Sequence, residues 1–274
     1  MVARTLALAV VVACMCCGSA LGAGDLLRKR EVVIVAHRGV SSEAPENTLA
    51  AFRRAIEQEA DYFELDCCLT KDGHVVVIHD DTVNRTTNGH GLVREMTLAE
   101  IKKLDAGSWR HEKFADERIP TLGESLDVAK GKIGVYIEIK PPIYHNEGIV
   151  PKVVKAIEER DMAGEVVIQS FEHLYVKEAK ELNPNIRTET LTDGGPVDAA
   201  QVAETALAEG YNTNMDYLTK ERVNQLHAAG KTIAIYTLNW PDHILHALDC
   251  GVDVIITDKP KVVIQTLAKR KKDS

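Results

Sequence analysis

Short, continuous apolar runs recur along this chain, each followed by a stretch in which apolar residues return every three or four positions. The first run, residues 32–36, is Val-Val-Ile-Val-Ala, the composition of a strand buried on both faces. Behind it Pro45-Glu46-Asn47-Thr48 opens a helix to about residue 59, capped by Asn47 or Thr48, with Leu49, Phe52, Ile56 and Ala60 on its inner stripe. Residues 62–66 form the next strand, so the unit is β-α-β and its crossover should be right-handed. The alternation then continues. Strands fit 135–139, 166–169, 186–190, 211–214, 232–237 and 254–257, and helices fit 149–160, 174–182, 197–208, 220–229, 242–248 and 261–269. Eight parallel strands predict a closed (β/α)8 TIM barrel. An open doubly wound sheet is disfavoured, because no glycine-rich phosphate fingerprint follows any strand.

One hairpin interrupts the alternation. Residues 62–69 and 75–79 are β-rich and are joined by Thr70-Lys71-Asp72-Gly73. A two-residue turn on Asp72-Gly73 makes opposed residue numbers sum to about 145, setting Asp66 beside His79 and Glu64 near Asp81. Glu64 and Asp66, two apart, leave the strand on one face. A solvated sheet edge would explain such residues blandly. Packed together, two carboxylates need a cation or a shared proton between them. After the hairpin, residues 82–131 read as a small loop-rich insertion, with a short helix at 98–104 opened by Thr97 and a helix at 122–129 returning the chain to the barrel.

The 274 residues, 45% apolar and 27% charged, suit one large core, placed here at residues 30–270. Residues 1–23 look like a signal peptide: Arg4, an apolar stretch at 6–13, then small residues, too short for a membrane span. Ala20-Leu21-Gly22 fits simple cleavage, whereas Val11-Val12-Ala13-Cys14 fits a lipobox that would anchor Cys14 to lipid. The balance favours simple export to a periplasmic or extracellular location. Past that leader 32 basic groups face 41 acidic ones, which argues against nucleic acid or an anionic membrane as main partner. Only Cys67, Cys68 and Cys250 remain there; Cys67 and Cys68 read as buried thiols, and no disulfide framework is implied.

Barrel chemistry sits at the C-terminal strand ends. Those ends carry His37-Arg38, Glu64 and Asp66, His79, Glu138 with Lys140, Gln169-Ser170-Phe171, Tyr236 with Asn239, and Thr257-Asp258. That many polar residues directly after apolar runs favours an active site over solvation.

His37-Arg38-Gly39 with Pro45-Glu46-Asn47-Thr48, Glu64-x-Asp66, Thr70-Lys71-Asp72-Gly73, His79-Asp80, Glu138-Ile139-Lys140 and Ile255-Ile256-Thr257-Asp258-Lys259-Pro260 agree in order and spacing with one family. The chain resembles a glycerophosphodiester phosphodiesterase from about residue 32 to 260. One departure is Tyr236, where many members have Trp. The resemblance implies a phosphoinositide-phospholipase-C-like barrel that hydrolyses small-molecule glycerophosphodiesters to an alcohol and glycerol 3-phosphate. It implies Glu64, Asp66 and Glu138 as ligands of one divalent cation. Three hard carboxylates without His or Cys suit Ca²⁺ or Mg²⁺. It further implies His37 and His79 as the acid–base pair, with Arg38 and Lys140 on the phosphate. Gln169 and Tyr236 are expected to line the pocket, with Tyr236 or Trp109 as an aromatic wall. Glu46 is expected to support the first loop, and Asp80 and Asp258 to serve as turn or cap residues. Recognition is expected to rest on the glycerol-phosphate half, so that several head groups are accepted. The rival readings are a sphingomyelinase-D-like lipid phosphodiesterase, a non-catalytic binding protein on the same barrel, and a metal-free aldolase or isomerase.

Overall fold

The computed structural model describes residues 26–273 apart from 28 and 145. The expected leader and Cys14 lie outside the described residues. Among the described residues nine strands form: β1 (Val33–Ala36), β2 (Tyr62–Leu69), β3 (Val75–Val77), β4 (Gly134–Ile139), β5 (Val166–Ser170), β6 (Arg187–Thr192), β7 (Gly210–Asn214), β8 (Thr232–Tyr236) and β9 (Val254–Thr257). All neighbours pair in parallel except β2 with β3, and β1 pairs with both β9 and β2, which closes the ring. Without the hairpin arm β3, this is the eight-stranded barrel expected from the apolar runs.

Helices α1 (Leu49–Glu57), α3 (Leu122–Ala129), α4 (Ile149–Glu158), α5 (His173–Leu182), α6 (Ala199–Thr205), α7 (Lys220–Ala228), α8 (Pro241–Cys250) and α9 (Pro260–Asp273) cover the outside. Thr48 caps α1, its hydroxyl accepting from the Ala51 amide at 3.3 Å. The barrel is packed by period two. Outward residues of β2 and β4, such as Phe63, Leu65, Ile137 and Ile139, meet α1, α3 and α4 in a continuous core. Phe52 of α1 stacks on Phe63 with ring centroids 4.2 Å apart. Inward residues Val33, Val35, Tyr62, Tyr136, Val167, Ala234, Val254 and Ile256 fill the centre. Continuing each inward row by two or four residues reaches His37, Glu64, Asp66, Glu138, Lys140, Gln169, Tyr236 and Asp258. The site is thus the top of the barrel's own side-chain stack.

The hairpin register differs by one from expectation. Cys67 faces Val77, Cys68 faces Val76 and Leu69 faces Val75, while the Ile78 amide donates to the Asp66 carbonyl at 3.0 Å. Asp66 therefore stands opposite Ile78, not His79. The cause is the loop: Gly73 takes φ +77° and its amide donates to the Thr70 carbonyl at 2.9 Å, giving a three-residue connection instead of a two-residue turn. Pairing ends at Val77, and the chain then rises to bring His79 to the rim.

Past the hairpin, Val83, Val93, Ile101, Ala106 and Ile119 pack on Cys68, Val76 and Ile78 as a small separate core. It includes the short helix α2 (Leu98–Ile101), opened by a capping box between Thr97 and Glu100. That helix is shorter than its pattern suggested. Leu122, Leu126 and Ala129 of α3 belong to the main barrel core. Cys67 and Cys68 are buried free thiols, as expected, and so is Cys250.

Candidate active site

Glu64 and Asp66 project from β2, and Glu138 stands directly beside Asp66 on β4. One oxygen from each of the three lies within 4.8 Å of the others. Burial raises the cost of charge on all three, and the groups respond differently. Glu64 is pushed up to about 8, first by burial and then by the Asp66 charge. Burial lifts Glu138 as well. Asp66 ends well below the carboxylate range, because Lys140 and Arg38 outweigh its burial. The Lys140 ammonium sits 2.7 Å from Asp66 Oδ1 and 2.6 Å from Glu138 Oε1. Asn47 donates to Asp66 Oδ2 at 2.7 Å, and the Arg38 amide donates to Glu64 Oε2 at 2.8 Å. Three hard oxygen donors crowded together, with burial and neighbouring charge raising Glu64 and Glu138, fit a divalent cation.

The first loop holds the next pair of groups. Arg38 has φ +54° and Asn47 φ +57°, a backbone cost of the kind found at functional sites. Gly39 makes that turn fit, since a Cβ there would lie 2.6 Å from the Ala51 carbonyl carbon. The turn places His37 and Arg38 over the carboxylates. Arg38 bonds Glu46 at 2.8 Å, and its Nε lies 3.5 Å from Asp66 Oδ2.

Both imidazoles are oriented by aspartates. His37 Nδ1 is 2.7 Å from Asp258 Oδ1, and His79 Nδ1 is 2.8 Å from Asp80 Oδ1. Nε2 of each ring is left to exchange a proton. Asp258 is itself fixed by Ser41 at 2.9 Å and Asn239 at 2.6 Å. The two rings are pulled apart in acidity. Burial lowers His37, but the Asp258 hydrogen bond and the Glu64 charge outweigh it and leave the ring above its ordinary value. Burial dominates at His79 and leaves it below. Near pH 6.5 one ring carries a proton and the other can accept one.

His37, Arg38, Glu64, His79, Glu138, Lys140, Gln169 and Tyr236 all line one cavity of about 270 Å³, closed on its apolar side by Phe171, Leu191 and Ile256. Asp66 lies just beneath. Gln169 accepts from the Asn212 amide, and Tyr236 donates to the Thr192 carbonyl at 2.8 Å. Trp109 does not line this cavity; its indole donates to the Ala106 carbonyl at 2.9 Å. Asp80 and Asp258 are imidazole partners, beyond the turn or cap role expected of them. Glu46 supports the loop as expected, and it also shares Arg85 with Asp80. Arg85 Nε is 2.7 Å from Asp80 and its Nη1 2.7 Å from Glu46. Sequence reasoning missed Asn47 and Arg85 as site residues. It also left Phe171 and Leu191 unassigned, although both stand two positions beyond inward residues Gln169 and Glu189.

A closed parallel barrel with carboxylates, paired imidazoles and cations gathered at its C-terminal rim defines a TIM-barrel enzyme. Residues 37–262 match the model of the glycerophosphoryl diester phosphodiesterase family. The chain is 43% identical over 242 residues to a glycerophosphodiester phosphodiesterase of Caldanaerobacter subterraneus subsp. tengcongensis, covering 87% of this chain and 99% of that one. It is 34% identical over 260 residues to a Bacillus subtilis glycerophosphodiester phosphodiesterase, covering 88% of each. Among solved structures, an Oleispira antarctica phosphodiesterase in complex with the product sn-glycerol-3-phosphate superposes with TM-score 0.82 at 31% identity, covering 86% of this chain and 96% of that one. The chain belongs to the glycerophosphoryl diester phosphodiesterase family and is a phosphodiesterase of that kind.

Proposed function

We propose that the protein hydrolyses glycerophosphodiesters to an alcohol and sn-glycerol 3-phosphate, using one divalent cation and the His37–His79 pair. The carrying observation is the convergence of both aspartate-held imidazoles and the three carboxylates on one cavity. Glu64, Asp66 and Glu138 would hold the cation, Ca²⁺ or Mg²⁺, which when bound neutralises charge developing on the phosphoryl oxygens.

The chain's own groups do the rest. Arg38 offers its guanidinium fork to the phosphate. Lys140 spends two of its three donors on Asp66 and Glu138, which leaves one for a phosphate oxygen. One imidazole takes the proton from the nucleophile and the other protonates the departing alcohol oxygen, with Asp258 and Asp80 fixing the rings. Gln169, its carbonyl committed to Asn212, presents its amide to the substrate. Phe171, Leu191 and Tyr236 exclude water on the opposite wall. The apolar leader supports export, either by simple cleavage or with a lipid anchor at Cys14.

The test is release of glycerol 3-phosphate from glycerophosphocholine and glycerophosphoethanolamine by protein lacking residues 1–23. Chelation should abolish release, and Ca²⁺ or Mg²⁺ should restore it. Unchanged turnover in excess chelator would remove the cation from the reaction.

A further inference from the structure

A second cavity, of about 540 Å³, opens beside the first and shares His37 and Arg38 with it. Under the reading above the phosphate sits at that shared wall, so the two halves of a diester fall into different cavities. The inner one, half the volume, suits the constant glycerol half. The outer one is roomier and suits the variable alcohol.

Charge gives the outer cavity a preference. Its carboxylates are already committed: Asp258 to His37, Ser41 and Asn239, and Glu46 to Arg38 and Arg85. Its lining also carries Arg110 and Lys259. Among the described residues neither is paired with a carboxylate. Arg110 donates to the Ser42 carbonyl, which holds its fork at the cavity edge. The Lys259 ammonium lies 4.6 Å from the Trp240 ring centroid, so this exposed indole already carries a cation on one face. A guanidinium and an ammonium lining one cavity are the donor set for a phosphate monoester.

We propose that the outer cavity is the subsite for the leaving alcohol, and that Arg110 and Lys259 make it favour alcohols bearing a phosphate over alcohols bearing an ammonium. This rests on the hydrolase reading, and it narrows the even breadth expected from sequence. Both cations are solvent-facing, so their effect is several-fold, and salt screens it.

The experiment compares kcat/KM at low ionic strength for glycerophosphoinositol 4-phosphate, glycerophosphoglycerol and glycerophosphocholine. The wild type should rank them in that order, with about a tenfold span between first and last that shrinks in 0.5 M salt. Arg110→Glu with Lys259→Glu should invert the order, with glycerophosphoinositol 4-phosphate losing the most. The single Ala variants should each give a partial loss of the span. In parallel, calorimetry with myo-inositol 4-phosphate reads the subsite without turnover. The double variant should weaken binding about tenfold, and Arg38→Ala should weaken it less. An order that survives charge reversal, or binding of the inositol phosphate that depends on Arg38 alone, would overturn the proposal. If no diester is cleaved but the calorimetric dependence on Arg110 and Lys259 holds, the hydrolase reading fails and the anion subsite stands.

Discussion

Cation binding should release a proton, and the structure sets how much that matters. Glu64 is pushed up to about 8 by burial and by Asp66, so below that pH the cluster holds a proton that a cation must displace. The coupling follows from one competing proton. Apparent affinity should fall about tenfold for each pH unit below 8, or roughly 1.4 kcal/mol per unit. The dissociation constant should therefore rise steadily as the pH is lowered from 8 to 6. Titration calorimetry in buffers of different ionisation enthalpy measures both the constant and the protons released. Close to one proton should leave per ion at pH 6.5. Glu64→Gln should bind more weakly at pH 8.5 yet lose most of the pH dependence, since its amide has no proton to displace. A wild-type constant that is flat from pH 6 to 8, with no proton released, would refute the reasoning.

Three further outcomes follow from the same geometry. His37→Ala and His79→Ala should each lower kcat by about 10²–10⁴ with the far-ultraviolet circular dichroism unchanged; a fully active variant would exclude that ring. The wild-type pH profile of kcat/KM should be a bell. Its acid limb, where His79 gains a proton, falls below pH 6.5, and its alkaline limb, where His37 loses one, falls above it; a profile flat from pH 5 to 8 would contradict this. Arg85 clamps the partners of both His79 and Arg38 but is 44% exposed, so Arg85→Ala should cost under about 1 kcal/mol of stability yet lower kcat about tenfold, with Lys restoring part of it. Unaltered kcat would mean that Asp80 and Glu46 hold their partners unaided.

The barrel was legible because β-branched runs such as Val32–Val35 alternate with 3.6-period segments, and eight such strands leave a closed ring as the economical way to bury them. The site was legible wherever it continues an inward strand row: Tyr62-x-Glu64-x-Asp66, Tyr136-x-Glu138-x-Lys140, Val33-x-Val35-x-His37. The same parity reaches Leu191 and could have marked it, and it turns Phe171 and Asp258, already at the rim, inward. The hairpin register was not legible, since an Asp-Gly pair serves both two-residue and three-residue loops and only the fold selects between them. Nor were the second partners. His37 and Asp258 are 221 positions apart and meet through the pairing of β1 with β9, and Arg85 meets Glu46 across 39 where the insertion reaches the first loop.

The most direct test follows the phosphorus atom itself. Phosphorus NMR of glycerophosphoethanolamine, incubated with the cation-loaded protein, separates the diester, glycerol 3-phosphate and phosphoethanolamine. The diester signal should give way to glycerol 3-phosphate, and the triple variant Glu64→Gln, Asp66→Asn, Glu138→Gln should leave it untouched. Accumulation of phosphoethanolamine would place the glycerol as leaving group, and loss of the diester at the wild-type rate in the triple variant would move the chemistry away from this cluster.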